Sequence, residues 1–160
     1  MNYICYINSN NEANIIKGDR FTEPEVISND ISVIGCTNET IFLYNSDSKK
    51  LTKIEDGVTT QLQTPPKNIA SIYCSEDDAL FLDIEGNLYK YNYFSISQIF
   101  GLPQIVFASI GPQHYAAISS DGRLYTWGFN PSGQLGIGND RPTSEPSFAI
   151  NHIIFAACGT

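Results

Sequence analysis

The stretch WGFNPSGQLGIG occupies residues 127–138, after IGPQHYAAIS at residues 110–119 and DGRLYT at residues 121–126. Asp121-Gly122 separates two apolar runs, and glycine readily takes the positive φ angle that a tight hairpin turn demands. The runs are short and rich in β-branched and aromatic residues, as strands are. The sequence therefore predicts an antiparallel hairpin followed by a glycine-rich loop.

The same arrangement occurs earlier in the chain. IASIYCSEDDALFLDIEGNLYKYN from Ile69 aligns without a gap with IVFASIGPQHYAAISSDGRLYTWG from Ile105, at an offset of 36 residues. Gly86 then falls on Gly122, so both copies have a glycine turn at the same point. Because repetition at a fixed period is the signature of repeat architectures, it decides the fold class.

Two fainter copies flank this pair. One starts at Ile31, and there we align Ile41-Phe42-Leu43 with Leu80-Phe81-Leu82; the other starts at Ile153 and is cut short. About three and a half units result, in one incomplete propeller domain spanning residues 1–160. The expected divisions are residues 1–30 (the tail of a blade), 31–68, 69–104, 105–152 and 153–160 (the start of a truncated repeat).

The repeats predict an all-β protein. Tyr125 and Trp127 share one face of a strand while Leu124 points to the other, so both faces carry bulk and both are expected to be buried. Sheets covered on both sides in a regularly repeating chain indicate a partial β-propeller of four-stranded antiparallel blades. A β-sandwich is the alternative.

The order of these elements resembles the repeat of the regulator of chromosome condensation family. A small-residue strand, a His-containing strand, a hairpin, an aromatic-Trp-Gly strand and a Gly-Gln-Leu-Gly loop follow one another over residues 105–150, and residues 69–104 match in part. The resemblance implies a seven-bladed ring and a structural role for the motif residues. These are His114, Asp121, Gly122, Tyr125, Trp127, Gly128, Gly133, Gln134, Leu135 and Gly136.

Within the loop, Leu135 stands between Gly133 and Gly136 and is expected to anchor the loop to the core. The resemblance implies that Gln134 bonds to the loop backbone. It also implies a structural role for His114, which we interpret as a buried hydrogen bond.

The N-terminal residues are expected to form the end of a blade. GDRFTEPEVI from Gly18 is similar to NDRPTSEPSFAI from Asn139, with Asp19 matched to Asp140 and Arg20 to Arg141. In this interpretation residues 1–7, MNYICYI, correspond to the aromatic strand of a repeat. We expect an N-terminal fragment of a longer member, with exposed edge strands that favour self-association.

Composition narrows the function classes. The net charge is -8, with nine basic and seventeen acidic side chains, which argues against direct nucleic-acid binding. The four cysteines form no CxxC pair, and a reduced compartment, cytoplasmic or nuclear, is expected. The late apolar run is too short to span a bilayer, so membrane insertion is not expected.

No motif for catalysis, a metal or a cofactor is present, and we predict none of these functions. The acidic run Glu76-Asp77-Asp78 replaces Pro112-Gln113-His114 of the next unit, and we interpret it as a solvated loop that serves as a candidate partner-binding site.

The leading hypothesis is a non-catalytic scaffold that binds another protein. The resemblance implies two alternatives: guanine-nucleotide exchange on a small nuclear GTPase with chromatin association, and a propeller-type enzyme inhibitor.

Overall fold

The computed structural model describes residues 3–17, 23–63, 66–93 and 95–159, which form four antiparallel sheets. The strands of the first two sheets are β1 (Tyr3–Ile7), β2 (Ala13–Lys17) and β3 (Glu25–Ser28), then β4 (Val33–Cys36), β5 (Thr40–Asn45), β6 (Lys50–Glu55) and β7 (Val58–Gln61). The third sheet has β8 (Ile69–Cys74), β9 (Ala79–Asp83), β10 (Leu88–Tyr91) and β11 (Ile96–Gln98). The fourth has β12 (Ile105–Ile110), β13 (His114–Ser119), β14 (Leu124–Gly128) and β15 (Thr143–Ile150).

Each sheet is a meander of consecutive strands, and we call the sheets blades 1 to 4 in chain order. The first strands of neighbouring complete blades contact each other, β4 with β8 and β8 with β12, so these strands line the inner side of the array. The all-β prediction and the four-stranded antiparallel blades are confirmed. The arrangement is a partial propeller and not the two facing sheets of a sandwich.

The blades are held together by three apolar cores, one at each interface. Blade 3 shows the principle: Phe81 and Tyr91 pack toward blade 2, whereas Leu80, Leu82 and Leu88 pack toward blade 4. Alternate residues of one strand thus enter two different cores, because successive side chains point to opposite faces. Both faces of the inner blades are therefore buried against neighbouring blades.

The alignment of the fainter copy in blade 2 was wrong by one residue. Phe42 and Tyr44 pack toward blade 3, as Leu80 and Leu82 pack toward blade 4, whereas Leu43 packs toward blade 1. The equivalent residues are thus 38 apart and not the 39 of the sequence alignment. Thr40–Asn45 is apolar on both faces, so the hydrophobic pattern does not specify its register.

A recurring backbone hydrogen bond ties each hairpin to the next blade. The amide of Ile105 donates to the carbonyl of Gly86, at 2.9 Å, and the amide of Ile31 donates to the carbonyl of Asn11, also at 2.9 Å. Because Gly86 lies between the second and third strands of its blade, Asn11 marks the same hairpin in blade 1.

Blade 1 therefore has its strands β1, β2 and β3 at the second, third and fourth positions. The interpretation of residues 1–7 as the aromatic strand was wrong, because the aromatic position is the third and β2 occupies it. The proposed matches of Asp19 and Arg20 lie outside the described residues.

Residues 153–158 lie beside blade 4, although they form no strand. The amide of Ile153 donates to the carbonyl of Gly122 at 2.9 Å, the same bond that Ile105 makes with Gly86. Further along, the Phe155 ring lies 5.1 Å from that of Phe107. This segment lies beside β12 as β12 lies beside β8, so it takes the path expected of the first strand of another unit.

Candidate functional site

One end of the blades carries the loops that join first to second and third to fourth strands, and we call this end the loop rim. Its described residues are 23–24, 37–39, 56–57, 75–78, 92–93, 95, 111–113 and 129–142. Neighbouring loops are bonded to each other: the amide of Asn38 donates to the carbonyl of Glu76, and that of Phe129 to the carbonyl of Gln113, both at 2.8 Å. Backbone hydrogen bonds therefore join these rim loops in two pairs, one between blades 2 and 3 and one within blade 4.

The long rim loop at residues 129–142 is organised by Asn130, a side chain with no solvent exposure. Its Nδ2 donates to the carbonyl oxygens of Asn139 and Arg141 at 2.8 and 3.0 Å. Its Oδ1 accepts from the amide of Leu135 at 2.9 Å. One amide group thus joins both ends of the loop to its centre. Sequence analysis missed this residue, although Asn130-Pro131 is itself a turn signal.

The other loop residues support the same structure. Leu135 is buried, and its carbonyl accepts a hydrogen bond from the hydroxyl of Thr126 at 2.6 Å. Gln134 is exposed, and its Oε1 accepts from the amide of Ser132 at 3.0 Å. Gly133 and Gly136 both have positive φ angles, of 74° and 65°.

His114 and Gly128 lie opposite each other in the β13–β14 ladder. A Cβ at Gly128 would lie 2.4 Å from the carbonyl oxygen of Gln113, so only glycine fits this close approach. The His114 ring packs beside Gly111, and no hydrogen bond to the ring is present among the described residues. The hydrogen bond expected for His114 is thus not observed, and partial burial lowers the pKa of the ring.

The hairpin of Asp121 and Gly122 lies at the opposite end of the blade. Asp121 Oδ1 accepts a hydrogen bond from the hydroxyl of Ser119 at 2.5 Å, which is the main reason that the pKa of this carboxyl is lowered. The amide of Gly122 donates to the carbonyl of Ser119 at 2.9 Å. These two motif residues therefore shape a turn and do not contribute to the loop rim.

The two aromatic motif residues have different surroundings. Trp127 is buried and stacks on Tyr115, with ring centroids 5.4 Å apart and planes 15° apart. Tyr125 is half-buried and meets Phe148 of the outer strand edge to face, at 6.2 Å.

A polar network crosses the interface of blades 3 and 4 next to the rim. Lys90 Nζ lies 3.3 Å from Asp78 Oδ2, and the hydroxyl of Tyr115 accepts a hydrogen bond from Lys90 and donates one to Asp78. The pKa of Tyr115 is raised, chiefly by burial and then by its bond to the carboxylate. Asp78 is thus bonded across the interface of blades 3 and 4, whereas partner binding by the loop of residues 76–78 stays a prediction.

The exposed part of the rim includes acidic and aromatic side chains. Glu76 and Asp77 are exposed, and Tyr93 and Phe129 expose 50% and 48% of their surface. The pKa of Tyr93 is raised by desolvation and then by the carboxylates of Asp77 and Glu39. Large exposed aromatics of this kind are typical of binding surfaces.

The described residues contain no cluster of three side chains arranged to hold a metal ion. A search of the same residues finds no helix with the length and hydropathy needed to cross a membrane.

Comparison with known proteins finds a family repeat in the last third of the chain. Two models described as "Regulator of chromosome condensation (RCC1) repeat" match residues 121–160 and residues 105–134. These ranges contain the hairpin of Gly122, the aromatic strand with Trp127 and the loop organised by Asn130.

Individual relatives match over larger parts of the chain. The human E3 ubiquitin-protein ligase HERC2 is 29% identical over 111 residues, covering 58% of this chain and 2% of the relative. The guanine nucleotide exchange factor SRM1 of Saccharomyces cerevisiae is 28% identical over 120 residues, covering 64% of this chain and 24% of the relative.

A solved structure shows the same fold. Prp20p from Saccharomyces cerevisiae, described with its binding properties to Gsp1p and histones, has a TM-score of 0.75 at 18% identity and covers 93% of this chain. The chain spans 48% of Prp20p, about half of that propeller. Residues 105–160 thus match the regulator of chromosome condensation (RCC1) repeat, and the chain is similar to these relatives in sequence and to Prp20p in fold.

Proposed function

We propose that the chain is a non-catalytic protein-interaction scaffold that binds a partner through its loop rim. The observation that carries the proposal is that the flat faces of the inner blades are buried against their neighbours, while the loop rim stays exposed. The faces of the inner blades are covered by their neighbours, whereas the rim exposes Tyr93 and Phe129 beside acidic side chains. Aromatic residues on a rigid support are favourable contacts for a protein partner.

The polar groups next to the rim support a structural role. Asp78, Lys90 and Tyr115 bond to one another across two blades. In this arrangement their hydrogen bonds stabilise the support on which the rim loops stand.

The partner that we test first is a small GTPase. Prp20p is described by its binding to Gsp1p and histones, and SRM1 is named a guanine nucleotide exchange factor. Exchange activity is therefore the second candidate function. The net charge of -8 disfavours direct contact with nucleic acid, and a basic protein surface is the better complement. We propose a nuclear or cytoplasmic site of action, where free thiols such as the four found here persist.

Binding of purified partners tests the proposal. Biolayer interferometry would measure the affinity of the chain for a Gsp1-type GTPase, in its GDP-bound and nucleotide-free forms, and for core histones. We expect one of these proteins to bind, and the double variant Tyr93→Ala, Phe129→Ala to weaken binding about tenfold or more, since exposed aromatics commonly act as anchors. Release of fluorescent GDP from the GTPase, measured with and without the chain, would separate exchange from simple binding.

The matched control is Ile84→Ala, which removes an exposed apolar side chain at the opposite end of blade 3. This variant should bind as the unmodified chain does. The proposal is contradicted if neither protein binds, or if Ile84→Ala weakens binding as much as the rim variant.

We also propose that the 160-residue chain self-associates. Ile154 is 96% exposed and Phe155 68% exposed beside β12, and Ile4 of β1 is 64% exposed. Apolar edges of this kind recruit further chains. Multi-angle light scattering should therefore detect species heavier than the 17.7 kDa monomer, in proportions that rise with concentration. A monomer at all concentrations would refute this part of the proposal.

A further inference from the structure

Two cysteines meet at the interface of blades 1 and 2. Cys5 lies in the middle of β1 and Cys36 ends β4. Both are free and half-buried, and both pack on the apolar core between these blades. They come from different sheets, 31 positions apart in the sequence, so the fold and not local sequence brings them together.

The repeat explains why these two side chains are neighbours. Cys5 lies two residues before Ile7, which pairs with Ala13 across the hairpin of blade 1. In blade 2, Tyr44 pairs with Leu51 across the corresponding hairpin, and Phe42 lies two residues before Tyr44. The second strands of successive blades therefore present Cys5 and Phe42 at one equivalent position.

The end of the first strand supplies the facing position. Cys36 pairs with Ile41 and Cys74 pairs with Ala79, at the same step of the β4–β5 and β8–β9 ladders. Phe42 and Cys74 belong to one core, as Cys5 and Cys36 do. The core between blades 1 and 2 thus has a thiol at both positions, whereas the core between blades 2 and 3 has an aromatic ring and a thiol.

Cys5 and Cys36 influence each other's ionisation across the interface of blades 1 and 2. With Cys36 ionised, the Cys5 thiol donates to its sulfur; this bond lowers the pKa of Cys36 to about 7 although partial burial opposes the shift. The same bond is the main reason that the pKa of Cys5 is raised. Cys74 is deeper, and burial raises its pKa to about 12.

We propose that Cys5 and Cys36 form a peroxide-responsive pair, in which oxidation by a hydroperoxide creates a disulfide that joins blade 1 to blade 2. The geometry that supports it is the placement of two half-buried thiols on one apolar core, at facing positions of a repeated interface, in strands β1 and β4 that contact each other. A thiolate with a thiol neighbour is the usual arrangement of an oxidisable cysteine and its resolving partner.

The chemistry balances in two steps. The Cys36 thiolate attacks one oxygen of hydrogen peroxide, so an S–O bond forms, the O–O bond breaks and hydroxide leaves; sulfur is oxidised and the peroxide reduced. Cys5 then attacks the Cys36 sulfur. The S–S bond forms, the S–O bond breaks, and the Cys5 proton leaves with the hydroxyl group as water.

The disulfide would restrain the array at its first interface. It would close a loop between two sheets that are otherwise joined by packing and by the bond from Ile31 to Asn11. Because the link restricts the unfolded chain, the midpoint of thermal unfolding is expected to rise by roughly 5–10 °C on oxidation.

Peptide mapping of the oxidised chain tests the proposal. Complete tryptic cleavage puts the four cysteines in separate peptides, namely residues 1–17, 21–49, 68–90 and 124–160. After treatment with hydrogen peroxide under native conditions and blocking of free thiols, we expect one linked product, peptide 1–17 joined to peptide 21–49. Before oxidation, alkylation at pH 7 should modify Cys36 about threefold or more faster than Cys74.

Variants separate the roles of the two cysteines. Cys5→Ser should leave a sulfenic acid on Cys36 that dimedone captures, whereas Cys36→Ser should abolish the reaction of Cys5. Cys74→Ser is the matched control and should form the disulfide unchanged. The proposal is overturned if the first product in the unmodified chain joins peptides 21–49 and 68–90, or if peroxide yields no disulfide while the chain stays folded.

Discussion

Replacing Trp127 by alanine is expected to lower the free energy of unfolding by about 3–5 kcal/mol. Only 4% of this residue is exposed, and its ring fills the core between blades 3 and 4 while stacking on Tyr115. The substitution would leave a cavity at an interface that holds two blades together. Chemical denaturation, followed by circular dichroism, would measure the change.

The matched variant is Trp127→Tyr, because Tyr91 occupies the equivalent position in blade 3 and is buried there as well. It keeps an aromatic ring in the core and should cost less than half of the alanine variant. An unchanged denaturation midpoint for Trp127→Ala would show that the ring does not support the interface.

Asn130→Asp is expected to cost about 3 kcal/mol or more, although the side chain keeps its shape. The new carboxylate could still accept from the amide of Leu135, but it would face the carbonyl oxygens of Asn139 and Arg141 without donors. Hydrogen exchange should therefore accelerate at the backbone amides of the loop, and denaturation should begin at lower denaturant concentration.

The control is Gln134→Glu, which makes the same chemical change on an exposed residue of the same loop. Its oxygen can still accept from Ser132, so the cost should stay within about 0.5 kcal/mol. Equal stability of the two variants would mean that Asn130 does not organise the loop.

The hairpins could be predicted because their signal is local. Gly86 and Gly122 both have positive φ angles, of 86° and 79°, and both lie at the turns that the gapless alignment identified. Blade 1 lacks this signal, since its hairpin turns at Asn11 with a φ of 59° and contains no glycine. For that reason the sequence interpretation gave residues 1–7 the third strand position of a blade, whereas β1 occupies the second.

Contacts between blades could not be predicted in the same way. Asp78 looks like part of a solvated acidic run, yet its partner Tyr115 lies 37 residues later and meets it only when blades 3 and 4 pack. The position equivalent to Tyr115 in the previous blade is Ala79, so a comparison of the repeats does not predict this hydrogen bond. The proximity of Cys5 and Cys36 could not be predicted from the sequence for the same reason, because it depends on the packing of blades 1 and 2.

The assignment of binding to the loop rim can be tested most directly by hydrogen–deuterium exchange of the chain, alone and saturated with the GTPase or histone that it binds. The account predicts protection at the rim, in the loops at residues 75–78, 92–93 and 129–142. It also predicts no change at the opposite hairpins, residues 84–87 and 120–123. Protection confined to those hairpins, with the rim unchanged, would contradict it.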